Sequence, residues 1–320
     1  MRLGYGTNGF GDHRLDQALV VLADLGYDGV ALTLDARHLD PFAPDIGRQV
    51  ERLAKRLGEL GLGVVVETGG RYVLDPFRKH YPTLLHPPGE AAPRVGLLRQ
   101  AVRIGADLGA EAVSFWSGVR PPGVSEAQAW DNLVAGVGTV VEEAAAREVT
   151  LGFEPEPGML VDTIEAFEHL RELTGRPRRL GLTLDVGHCR CLESDPVPDS
   201  VRRAAPYLVN VQIEDMRRGV HEHLEFGDGE IDFPPVLAAL DETGYRGLVS
   251  VELPRHSHAA PVIASRSLRF LREAHRRGGA DGAAPASPVP SPRAGTPGPA
   301  PGRPPTAVTP DRRARAGEAR

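Results

Sequence analysis

Eight short apolar runs rich in β-branched residues recur along the chain, each followed by a stretch of helical periodicity. The runs fall near 2–6, 29–34, 63–67, 112–116, 150–154, 181–185, 208–213 and 248–252. Helices are predicted near 14–25, 44–60, 94–108, 125–147, 160–173, 199–205, 234–243 and 261–276. Leu25-Gly26, Leu60-Gly61, Leu108-Gly109 and Thr243-Gly244 supply the glycine expected just past a helix C-terminus. Eight strand–helix pairs in about 275 residues match the arithmetic of a (β/α)8 TIM barrel. A doubly wound open sheet is the alternative, and it usually opens on a glycine-rich phosphate loop. Gly4-Tyr5-Gly6-Thr7-Asn8-Gly9 lacks the G-x-G-x-x-G spacing, and no acid closes the following strand. The barrel is the expected fold.

Composition places a boundary near the C-terminus. Residues 278–320 contain ten Pro, ten Ala, seven Gly and six Arg, with no Leu, Ile or aromatic residue. Such a segment buries too little apolar surface to offset the entropy of ordering, so 1–277 is read as the barrel domain and 278–320 as a disordered tail. The tail carries +3 of a whole-chain charge of −6, which leaves −9 on the barrel. That balance argues against a nucleic-acid or anionic-membrane partner. No apolar run approaches the roughly 18 residues that span a bilayer, and Met1-Arg2-Leu3-Gly4 starts no signal peptide. Cys189 and Cys191 are the only cysteines, too close for an ordinary structural staple, and they indicate a reducing, cytoplasmic compartment. Beside His188 they also hint at a zinc knuckle, but with no second ligand pair local packing is preferred.

In a barrel the C-terminal ends of the strands face the active site. Glu67, Glu154, Asp185, Gln212 and Glu252 stand at such positions, and His188 lies three residues past Asp185. Each acid closes an otherwise apolar strand, as in Leu151-Gly152-Phe153-Glu154 and Val249-Ser250-Val251-Glu252. Three or four carboxylates at one barrel mouth repel one another and lose solvation, so a divalent cation is expected among them. The plainer alternative makes each acid a helix cap or a loop ion-pair partner.

Leu182-Thr183-Leu184-Asp185-Val186-Gly187-His188, Val211-Gln212-Ile213-Glu214-Asp215 and Phe226-Gly227-Asp228-Gly229-Glu230-Ile231-Asp232-Phe233 resemble the xylose-isomerase-like TIM-barrel superfamily. This group holds sugar and sugar-phosphate isomerases and epimerases as well as endonuclease-IV-type phosphodiesterases, and the resemblance runs over 1–276. Similarity to the ketose 3-epimerase branch implies Glu154, Asp185, residue 212 and Glu252 as metal ligands, with His188 and Arg218 as substrate contacts. Gln212 stands where that branch usually has His, and its amide oxygen is a weaker ligand. In the endonuclease-IV branch an acid-x-His pair before the glycine motif binds further zinc ions; here that pair is His221 and His223. An H-x-H in an extended segment turns both rings to one face, which makes His188, His221 and His223 a candidate second metal site. The resemblance implies Mn, Mg or Co ahead of Zn, with Zn for a multi-metal site. Relatives often pair as homo-oligomers through the barrel helices.

The segment 69–93 follows the third strand at the same mouth and exceeds the usual connection length. It carries Arg71, Tyr72, Phe77, Arg78, Lys79, His80, Tyr81 and His86. As a lid it would clamp a phosphate or carboxylate with Arg71, Arg78 and Lys79; alternatively it packs Tyr72 and Phe77 onto the barrel. His256, just beyond Glu252, is a further pocket candidate. Glu154 and Glu252, on strands five and eight, would flank a carbohydrate-like α-hydroxy ketone. One glutamate removes a proton to give an enediolate and the other returns it, which is epimerisation or isomerisation. A multi-metal phosphodiester hydrolase and a non-catalytic metabolite-binding barrel of a biosynthetic or transport pathway are the other two readings.

Overall fold

The computed structural model describes residues 1–281. In chain order the elements are β1 (Arg2–Gly6), α1 (Leu15–Leu25), β2 (Gly29–Thr33), α2 (Ile46–Leu60), β3 (Gly63–Glu67), α3 (Pro88–Leu108), β4 (Val113–Phe115), α4 (Glu126–Ala146), β5 (Leu151–Phe153) and α5 (Ile164–Leu173). They continue as β6 (Leu180–Asp185), α6 (Val186–Leu192), α7 (Val197–Ala204), β7 (Leu208–Ile213), β8 (Asp215–Arg217), β9 (Val220–Leu224), α8 (Phe233–Glu242), β10 (Leu248–Val251) and α9 (Ala260–Asp281). Eight strands close a parallel barrel in the order β1-β10-β7-β6-β5-β4-β3-β2, as the strand–helix alternation predicts. Strands buried on both faces read as continuous apolar runs, and all five residues of β2 are buried. Helices α1, α2 and α3 end on Gly26, Gly61 and Gly109 in the left-handed conformation.

The main core lies between the strands and the helical ring. Phe153 of β5 meets Phe115 edge-on at 5.1 Å and stacks on Phe167 of α5 at 6.1 Å. All three rings are fully buried, each burial contributing roughly 1.5–3 kcal/mol. This packing fixes β5, and with it Glu154, the residue that follows the strand.

Three elements differ from the sequence expectation. Helix α3 begins at Pro88 rather than near 94, so the preceding loop is shorter than expected. Pro93 is tolerated inside it because the carbonyl its missing N–H would serve belongs to exposed Gly89, which water can satisfy. Helix α6 buries Val186, Gly187, His188, Cys189 and Cys191, which leaves no amphipathic stripe to read, and both cysteines are free. Helix α9 runs four residues past the expected boundary at 277, because Gly278, lacking a Cβ, packs against the Pro234 carbonyl of α8. The rest of the expected tail lies outside the described residues.

Strands β8 and β9 form a separate antiparallel hairpin beyond β7. Asp215 ties this excursion down: Oδ1 accepts the N–H of Ile231 at 3.1 Å and Oδ2 that of Gly227 at 2.8 Å. A Cβ at residue 229 would collide with Asp215 Oδ1, so the second glycine of Gly227-Asp228-Gly229 is required by packing.

Candidate active site

Six carboxylates meet at the C-terminal mouth of the barrel. Glu67 ends β3, Glu154 and Glu156 follow β5, Asp185 ends β6, Glu214 follows β7 and Glu252 follows β10. Among the described residues none of the six pairs with Arg or Lys; the only basic side chains within 4.0 Å of them are histidines. Most receive one neutral donor. Gln212 Nε2 donates to Glu67 Oε1 at 2.7 Å, Asn8 Nδ2 to Glu252 Oε1 at 2.9 Å, and Ser114 Oγ to Glu154 Oε2 at 3.4 Å. The His188 N–H donates to Asp185 Oδ1 at 2.8 Å, the N-cap bond of α6. Asp185 Oδ2, Gln212 Oε1 and both Glu214 oxygens are buried with no hydrogen-bond partner among the described residues.

Burial, reinforced by the neighbouring anions, pushes Glu67, Glu154 and Glu214 well above the ordinary carboxylate range. The same causes, burial first and Glu252 next, raise Glu156 to about 8. Glu156 therefore keeps its proton near neutral pH unless a cation compensates it, and burial disfavours the charged form of the other three.

Three imidazoles converge beside the carboxylates. His188 Nε2 and His221 Nε2 are 3.1 Å apart, and His221 and His223, two apart on β9, have ring centroids separated by 5.3 Å. His188 Nδ1 is anchored 3.0 Å from the Pro155 carbonyl oxygen. Burial lowers the pKa of His188, and burial followed by the two other histidines lowers that of His221 to about 4. Neutral imidazoles are the form that binds metals. Each of the sets His188–His221–His223, Asp185–Glu214–His223–Glu252 and Glu154–Glu156–His188 offers ligand atoms within 4.8 Å of one another.

Above this floor lies a cavity of about 590 Å³, within the range of small-molecule sites. Arg71, Tyr72, Lys79 and His80 from the β3–α3 loop line it, facing Glu67, Glu154, Glu156 and Glu252. Among the described residues neither Arg71 nor Lys79 has a carboxylate partner within 4.0 Å. Arg94 of α3 holds the loop in place. It is 3 % exposed, donates to the Pro82 and His80 carbonyls at 2.9 Å each, and lies 4.9 Å over the Trp116 ring.

Residues 19–274 match the sequence profile described as "Xylose isomerase-like TIM barrel". The chain belongs to this family. Over 248 residues the family member is 29% identical to an L-ribulose 3-epimerase of Mesorhizobium japonicum, covering 74% of this chain and 75% of that protein. Over 183 residues it is 32% identical to the rhizopine catabolism protein MocC of Rhizobium meliloti, covering 48% of this chain and 55%, about half, of that protein. Among solved structures, one of an L-ribulose 3-epimerase superposes with a TM-score of 0.71 at 24% identity, covering 89% of this chain and 99% of the other, a likeness of fold.

The structure places the sequence-predicted site residues unevenly. Glu67, Glu154, Gln212, Glu252, His221, His223, Arg71 and Lys79 line the cavity, and Asp185 and His188 are buried beside it. Arg78 turns outward, pairing with Asp75 at 2.6 Å and covering the Tyr81 ring at 3.3 Å, because the Asp75 turn captures it first. Arg218 is exposed in the β8–β9 turn and donates to the Glu193 carbonyl, which holds it outside the cavity lining. His256 is half-buried and does not line the cavity. Tyr72 and Phe77 are 56% and 91% exposed, so they do not pack the loop onto the barrel.

Glu156 and Glu214 escaped the sequence reading. The signal for both was spacing: Pro155 imposes an extended backbone, and β7 is a strand, so Glu154/Glu156 and Gln212/Glu214 are i, i+2 pairs that share a face.

Proposed function

We propose that this protein is a metal-dependent isomerase or epimerase of a sugar or polyol-derived α-hydroxy ketone. The observation that carries the reading is the cluster of six carboxylates that, among the described residues, have no Arg or Lys partner, several of their oxygens buried without any donor. Such a donor set fits a hard divalent cation, Mn, Mg or Co ahead of Zn. Asp185 and Glu252 would hold it with a further donor from the β7 end, close to Glu154. When bound, the cation stabilises negative charge developing on the substrate oxygens.

The remaining steps belong to this chain's side chains. Glu154 and Glu252 follow β5 and β10, which are separated in the barrel by β6 and β7, so they approach a bound substrate from different sides. Glu252, oriented by Asn8, removes the proton next to the carbonyl. Glu154, whose pKa burial raises, carries the proton that is returned from the other side. Return at the same carbon gives epimerisation, and return at its neighbour gives isomerisation. Arg71 and Lys79 receive an anionic group at the distal end of the substrate, a phosphate or carboxylate.

The test is proton exchange. With a panel of ketoses, ketose phosphates and keto-polyols in deuterated water, the metal-loaded protein introduces deuterium next to the carbonyl of its substrate, and Glu252→Gln slows this by about 10²–10⁴-fold. Unchanged exchange in Glu252→Gln refutes the mechanism. The three converging histidines favour a second reading, in which further metal ions activate water against a phosphoester. Metal content separates the two: one ion per chain supports the isomerase, and two or three support the hydrolase. Persistent absence of metal supports a metabolite-binding barrel.

A further inference from the structure

The wall that the β3–α3 loop contributes to the cavity offers donors and no carboxylate. Where β3 ends the chain runs Thr68-Gly69-Gly70-Arg71, and all four residues line the cavity. Gly70 is buried, yet the backbone N–H groups of Gly69, Gly70 and Arg71 meet no protein acceptor among the described residues. Buried N–H groups are seldom left unmet, and glycine-rich turns with spare N–H groups are anion sites. A Cβ at residue 70 would collide with the Leu34 carbonyl oxygen, so glycine is what lets the turn pass the end of β2.

The same loop brings cations to this turn. The His80 N–H donates to the Arg71 carbonyl at 2.7 Å, which sets Lys79 and His80 beside the glycines. Burial, then Lys79, Arg94 and Arg71, hold His80 neutral with a pKa of about 3. Its Nδ1 is buried without a partner, and an unmet acceptor costs less than an unmet N–H, so the ring hydrogen belongs on Nε2. His80 is thus a donor as well. TIM barrels often hold phosphate at the loops after strands seven and eight. Here the glycine loop after the seventh has its N–H groups committed: Gly227 and Ile231 donate to Asp215, Asp228 to the Glu225 carbonyl and Glu230 to the Met216 carbonyl.

We infer that the Gly69-Gly70-Arg71 turn, with Lys79 and His80, is a phosphate subsite and that the substrate is a phosphate monoester. The second statement rests on the isomerase reading above and narrows its substrate class; the first stands without it. A carboxylate presents two coplanar oxygens, which one guanidinium satisfies. A phosphate monoester presents three oxygens in a tetrahedron and nearly two charges, matching donors that arrive from a backbone turn, a guanidinium, an ammonium and an imidazole. The acid floor repels such a group, so the substrate lies with its phosphate at the loop and its carbonyl end toward the floor.

Titration calorimetry with inorganic phosphate tests the subsite on the full chain stripped with EDTA, where no metal ion mediates binding. Wild type is expected to bind phosphate at least about tenfold more tightly than acetate. Arg71→Gln and Lys79→Gln are each expected to weaken phosphate binding by about tenfold or more. Arg78→Gln, in the same loop but with its guanidinium held outward by Asp75, is expected to leave it unchanged. No binding by wild type, equal binding of acetate, or equal losses in all three variants overturns the subsite. Deuterium exchange over the panel above tests the substrate class: phosphorylated ketoses and keto-polyols are expected to exchange faster than their unphosphorylated counterparts, a preference that Arg71→Gln removes. Equal exchange of both forms means that the subsite takes free phosphate, and it overturns the substrate class alone. Phosphate binding as expected with exchange in no member of the panel overturns the isomerase reading and the substrate class, and leaves the subsite standing.

Discussion

Replacing Arg94 by Met separates the stability of the barrel from that of the loop above its mouth. The guanidinium makes two charge-assisted hydrogen bonds, to the His80 and Pro82 carbonyls, together worth about 3–6 kcal/mol. Against that stands the cost of burying the charge. Burial pulls the Arg94 pKa down from the ordinary guanidinium range to about 10, which corresponds to about 3 kcal/mol. Met keeps most of the aliphatic stem, so the global loss is the difference, about 0–3 kcal/mol. The loop experiences a different balance, because both carbonyls lose their buried donor and regain one only by swinging into water. Its opening free energy falls by up to the full value of the bonds, and the His80 amide, bonded to the Arg71 carbonyl at 2.7 Å, reports this. Hydrogen exchange at 71–86 should accelerate by about 10²–10⁴-fold while the urea midpoint moves little. Unchanged loop exchange, or a global loss well above 3 kcal/mol with the loop still protected, would refute the reasoning.

Two further outcomes follow from the charges of the site. Because Glu156 is raised from 4.5 to about 8, the folded protein keeps a proton there that the unfolded chain has released; its stabilisation is present below about 4.5 and is lost as pH rises through 8. Melting temperatures in EDTA should therefore fall from about pH 5 to about pH 9, and manganese should restore the alkaline loss by standing in for the proton; a flat or rising metal-free profile contradicts this. Arg71→Ala should raise KM about tenfold for a substrate bearing a phosphate or carboxylate and leave its uncharged counterpart unaffected, about 1.4 kcal/mol of lost contact. Equal effects on both substrates would place Arg71 outside the recognition of charge.

The barrel was legible because its signals are local. Apolar runs mark strands buried on both faces, and glycine marks where α1, α2 and α3 must stop. The residues missed depend on tertiary context. Helix α6 is buried nearly all round, so its seven residues carry no periodicity to detect, although they position His188. Arg78 looks like a pocket residue when its loop is read as composition, and Arg218 when the resemblance is followed, yet Asp75 within the same turn claims the first and the Glu193 carbonyl beyond α6 claims the second. Of the loop cations, Arg71 and Lys79 reach the cavity because the backbone between them is folded back by the His80–Arg71 bond and pinned by Arg94, a residue buried on another element. No pattern within 69–93 encodes that anchor.

The distribution of arginine is itself an argument about the site. Only two of the 37 basic residues are lysines, so arginine is abundant enough to neutralise almost any acid in this fold. On the surface it does so thoroughly: Glu143 is gripped by Arg99, Arg103 and Arg147 between 2.7 and 3.1 Å, and those bonds pull its pKa down to about 2. At the barrel mouth four of the six carboxylates receive an amide, hydroxyl or backbone N–H donor, and among the described residues none of the six receives a guanidinium. Neutral donors fix where a carboxylate points without cancelling its charge, whereas an arginine would do both and would occupy the coordination space. A site that had only to be stable would use the residue the rest of the chain uses. Orienting the acids while leaving their charge unmet is what a protein does when a cation must come from solution, and it is the reason metal content, rather than substrate turnover, is the first quantity to measure.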